Sequence, residues 1–121
     1  MTARRSRLAE YERLNGKYLR EADELLEKKD LPQASEKLWG AAAEIIKAVA
    51  AKRGETLGTH RSLATFLVKL NKEHPELDLM RGFNAAESLH INFYENHLPK
   101  EAVETIAQAV RDFVEQLRGL L

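Results

Sequence analysis

The chain has 121 residues, 44% of them hydrophobic and 31% charged, with 19 Lys+Arg set against 19 Asp+Glu and no cysteine. Zero net charge removes the broad attraction on which non-specific nucleic-acid binders depend, and the missing cysteines exclude disulfides, thiolate nucleophiles and Cys-based zinc sites. No apolar run approaches a membrane span and no signal-peptide core follows the first residues, so a single cytoplasmic domain covering 1–121 is expected.

Taken in order, the chain predicts five helices. Helix one spans about Arg5 to Lys29, with Leu8, Tyr11, Tyr18, Ala22 and Leu25 on its buried side. Gly16 interrupts it as a kink or a weak point, and Arg4, Arg5 and Arg7 form a solvated basic end. Asp30 and Gln33 have the spacing of a capping box, Pro32 falls in the first turn of helix two, and Gly54 supplies its left-handed stop. Between these ends Ala34, Leu38, Ala41, Ala42, Ile45 and Val49 recur at helical spacing, with Trp39 and Ile46 widening the stripe. A band that broad needs more than one neighbour, which makes helix two central, and Gly40 removes bulk where another helix can approach. The short turn at Lys28–Pro32 implies an antiparallel hairpin similar to one tetratricopeptide unit, but the segment one period later does not repeat the pattern.

Thr59 can cap helix three, whose apolar positions are Leu63, Phe66, Leu67 and Leu70. Pro75 is placed at the opening of helix four, which carries Leu79, Phe83, Ala86, Leu89, His90 and Phe93 on or beside one face and Asn84, Ser88, Asn92 and Glu95 on another. Helix five runs from about Pro99 to Leu117 with the cleanest amphipathic stripe in the chain. Nothing alternates with the period of a strand, so the fold class is all-α.

Two constellations carry candidate chemistry. Lys52, Arg53, His60 and Arg61 surround the loop between helices two and three, where a helix N-terminus with basic neighbours can hold a phosphate or a nucleotide. The plainer reading is that Lys52 and Arg53 complement the end of helix two beside an unrelated first turn. On helix four, Glu87 lies one turn before His90 and Tyr94 one turn after, so the three can share a groove. A histidine there can serve as general acid/base, or it can be a packed side chain satisfied by Glu87 or Tyr94. The four histidines lack the i, i+3 or i, i+4 spacing of a helical metal motif, so no metal and no cofactor is expected.

Three blocks, Gln33-Ala-Ser-Glu-Lys-Leu-Trp-Gly-Ala-Ala, Thr59-His-Arg-Ser-Leu and Ser88-Leu-His-Ile-Asn-Phe-Tyr-Glu, resemble the archaeal PaREP family of small helical proteins. That family looks like a branch of the nucleotide-binding HEPN superfamily, and the resemblance implies a five-helix up-and-down HEPN-like bundle that forms a homodimer. Many members of the superfamily are metal-independent ribonucleases in which an arginine precedes a histidine by a few positions. His acts on the ribose 2′-hydroxyl and Arg offsets charge on phosphorus. By this resemblance His90 stands where the histidine belongs, whereas Phe83, Asn84 and Ala85 occupy the positions for the arginine, and Arg81 lies further upstream. The expectation is therefore a non-catalytic or cryptic homodimeric module binding a protein partner, a nucleotide or RNA. The alternatives are a toxin-like ribonuclease using His90, Arg81, Glu87 and Tyr94, and a purely structural interaction module.

Overall fold

The computed structural model describes residues 3–121. Its helices are α1 (Ala3–Glu27), α2 (Leu31–Lys52), α3 (His60–Glu73), α4 (Leu79–Glu95) and α5 (Lys100–Arg118), and no strand occurs among the described residues. The all-α expectation holds, and the order of five helices is the one the periodicity predicts.

Helix α2 is the axis of the bundle. It packs against α1, α3, α4 and α5, and Ala34, Leu38, Ala42, Ile46, Ala48 and Ala50 on it have no solvent exposure. Its runs of alanine let neighbours approach from several sides, and its isoleucines and leucine fill the spaces between them. Asp30 caps α2 by accepting from the Gln33 amide at 3.3 Å. At the far end Gly54 has φ +80, the left-handed stop that its lack of a Cβ permits.

Three local expectations are corrected. Gly16 does not break α1, which is continuous through it. Helix one stops at Glu27 rather than near Lys29, and Lys29, with φ 62, turns the chain into α2 in the left-handed region. Pro75 does not open α4; it belongs to the turn before it, and α4 begins at Leu79. Because Asp78 makes no side-chain cap there, the job passes to another helix: Asn71 Oδ1 of α3 accepts from the Leu79 amide at 2.9 Å. Thr59 and Ser62 form a reciprocal capping box at the start of α3.

Two fully buried asparagines tie the bundle together. Asn15 donates to the Ala41 carbonyl at 2.6 Å and accepts from Arg118 at 2.7 Å, joining α1, α2 and α5. Asn92 donates to Ser35 Oγ at 3.0 Å and accepts from the amides of His97 and Leu98, both at 2.9 Å. It thereby fixes α4 to α2 and shapes the loop into α5. Each buried amide is satisfied, as a polar group in a packed core must be.

Candidate functional site

His90 leaves α4 facing α2 rather than along its own helix. Its Nδ1 lies 2.8 Å from Glu36 Oε1, so the imidazole donates Nδ1–H to the carboxylate. Three rings surround it. Trp39 lies 5.1 Å away between centroids, His60 5.1 Å in an edge-on arrangement and Tyr94 5.4 Å, also edge-on. Trp39 touches His60 as well, at 4.9 Å. The site is therefore built from three elements. Helix α2 supplies Glu36 and Trp39, the first residue of α3 supplies His60, and α4 supplies His90 and Tyr94.

This geometry rearranges the sequence-derived set. Tyr94 meets His90 as foreseen, but its carboxylate partner is Glu36, not Glu87. Arg81 is exposed, pairs with Asp78 at 3.0 Å, and lies nine residues, about 13 Å of helix axis, before His90. Lys52, Arg53 and His60 around the α2–α3 loop have separate partners. Arg53 is held by both oxygens of Glu73, at 2.9 and 2.6 Å, and its guanidinium lies over Phe66. That hydrogen bond lowers the Glu73 carboxyl below the usual carboxylate range. Lys52 donates to the Leu120 carbonyl at 3.4 Å. His60 joins the rings around His90, and Arg61 is exposed beside it.

A groove continues from this cluster along α2. Its cavity of about 340 Å³ is lined by Tyr18, Glu36, Lys37, Trp39, Glu44 and Lys47. Gly40 lets the Tyr18 ring pack closely on α2, because a Cβ at that position would come within 3.1 Å of the ring. A second depression of about 220 Å³ adjoins it, sharing Trp39, Ala43 and Lys47 and reaching Gly58, Thr59 and His60. Among the described residues no group of three or more His, Cys, Asp or Glu side chains is arranged to hold a metal ion.

Sequence reasoning missed Glu36, Glu44 and Lys47. A signal was present: Gln33, Glu36, Lys37, Glu44 and Lys47 recur at helical spacing within the most apolar helix of the chain. A polar stripe on a central helix marks the side its neighbours leave open.

Residues 10–114 match the sequence profile of the archaeal PaREP1/PaREP8 family. The crystal structure of a protein from Sulfolobus solfataricus is similar at TM-score 0.79 and 25% identity, over 88% of this chain and 95% of that one. No curated protein shows significant similarity to the chain.

Proposed function

The chain belongs to the archaeal PaREP1/PaREP8 family, and from that premise we propose that it is a homodimeric, HEPN-like module that binds a nucleotide, free or within RNA, without cleaving it. The observation that carries this reading is the engagement of His90. Its Nδ1 is tied to Glu36 and its ring is packed by Trp39, His60 and Tyr94, while the nearest upstream arginine on its helix points its charge at Asp78. Cleavage of an RNA phosphodiester is helped by a cation set against the negative charge of the developing phosphorane, and Phe83, Asn84 and Ala85 leave the positions for that arginine without one. Aromatic rings beside a lysine-bearing groove are, by contrast, suited to holding a base and its phosphate. Dimerisation is supported by Ile91 and Tyr94, exposed to 54% and 71% on the stretch of α4 that carries His90.

One observation favours the ribonuclease as a second reading: a carboxylate-paired imidazole has the arrangement of a general base. Both readings meet the same experiment. Chelator-treated protein is incubated with a panel of labelled RNAs, and its mass is measured by light scattering. The expected outcome is binding without cleavage by a species of twice the 13.8 kDa chain mass. His90→Ala is expected to lower stability by about 1–3 kcal/mol through the lost hydrogen bond and ring packing. Chelator-resistant cleavage that disappears in a folded His90→Ala protein establishes the ribonuclease instead, and a 13.8 kDa species refutes the dimer.

A further inference from the structure

We infer that the exposed face of α3 and α4 is a seam on which a second copy of the chain packs, with α3 of each copy lying on α4 of the other. This inference rests on the reading of the protein as a homodimer and names the surface that makes it one.

The starting point is where apolar surface is left in water. Among the described residues the large hydrophobic side chains that stand exposed are Val68 on α3 and Ile91 and Tyr94 on α4. These two helices pack against each other, so the three side chains belong to one side of the bundle. The outward surface of α5, by comparison, runs Glu101, Glu104, Thr105, Gln108, Asp112 and Glu115 and needs no cover. Exposed aliphatic and aromatic groups confined to one side mark a surface for another protein.

Charge selects which protein. Lys69 is held by Glu55 and Arg81 by Asp78, but Arg61 and Lys72 on α3 and Glu87 and Glu95 on α4 make no ion pair among the described residues. The unpaired charge is therefore positive on one helix and negative on its neighbour. A partner of one sign matches one helix and repels the other, whereas a second copy carries both signs. A two-fold axis parallel to the helices sets α3 over α4 of the other copy, and α4 over α3, so opposite signs meet twice. An axis across the helices sets like on like. Contacts within the chain fix the levels: Asn71 bonds the Leu79 amide and the His60 ring meets the His90 ring. In that register Arg61 is level with Leu89, Glu87 with Leu63 and Ile91 with Thr59. An axis parallel to the helices preserves level. Arg61 of each copy then faces Leu89 of the other, with Glu87 two residues away, about 3 Å of helix rise, and Ile91 covers the first turn of the other α3.

Light scattering of the whole chain over a concentration series at one fixed salt concentration tests this, with Arg61→Glu, Glu87→Arg and the double reversal alongside. Each single reversal sets like charges together at both contacts and is expected to weaken the dimer about tenfold, and the double reversal is expected to bring the affinity back to within about threefold of the wild type. Ile91→Asp is expected to give a monomer with the helix content of the wild type by circular dichroism. Recovery in the double reversal keeps the test independent of any loss of fold in a single variant. A wild-type dimer that neither reversal weakens overturns the seam and leaves the homodimer standing. Weakening by both reversals with no recovery in the double overturns the pairing of α3 with α4. A wild type that stays at 13.8 kDa at every concentration overturns both this inference and the reading beneath it.

Discussion

Glu44 is a residue whose ionised form burial disfavours. Its carboxyl is raised above the ordinary value of 4.5, chiefly by desolvation, so between 4.5 and its folded value the native state binds more protons than the unfolded chain. Stability then falls as pH rises through that window, and the cost is fully present above the folded value. Glu44→Gln removes the buried charge. Its melting temperature is expected to exceed that of the wild type at pH 7, with the gap closing as pH is brought below 4.5. A gap of constant size across that range rules out Glu44 titration as its source.

At the scale of elements, glycine sets how closely the helices approach. A Cβ at Gly82 of α4 would lie 2.7 Å from the Cβ of Phe113 on α5, and both residues are buried. No rotamer change relieves a contact between two Cβ atoms, so one helix must move. Gly82→Ala is expected to destabilise by about 3 kcal/mol. Gly40→Ala meets only the edge of the Tyr18 ring at 3.1 Å, and the gain in helix propensity of about 1 kcal/mol offsets the crowding, leaving it near neutral. Urea unfolding of the two variants side by side measures the contrast; similar losses at both positions refute the close α4–α5 approach.

This contrast also shows what was legible in the sequence. Periodicity marks Leu38, Ile45 and Val49 as core and caps mark Asp30 and Thr59 as helix starts, because both signals are local. Gly40 announces itself beside three alanines on a central helix. Gly82, Asn15 and Asn92 do not, since their importance comes from Phe113, Arg118 and Ser35 on other helices. The candidate site was half visible for the same reason. His90 and Tyr94 share α4 and were found together, whereas Glu36, Trp39 and His60 reach them only through packing.

Two side-chain contacts close the whole molecule, Arg111 of α5 to Asp23 of α1 at 2.8 Å and the amide of Asn15. Asn15 joins the Ala41 carbonyl to the guanidinium of Arg118, so the helix that begins the described fold is fastened to the one that ends it. Asn15→Ala is expected to cost about 1–3 kcal/mol. A double-mutant cycle with Arg118→Ala is expected to show coupling of about 0.5–3 kcal/mol by urea unfolding, and strictly additive losses refute the linkage. The same contact has a consequence in time. The α1–α2 hairpin contains all it needs for its own pairing and can form as soon as residue 52 is free of the ribosome. Arg118 lies 66 residues beyond the end of α2 at Lys52 (118 − 52), about 3–13 s at ordinary rates of synthesis. For that interval the nascent hairpin carries an open acceptor on Asn15 and an apolar α2 still lacking α5, the state in which a holdase chaperone has most to grip.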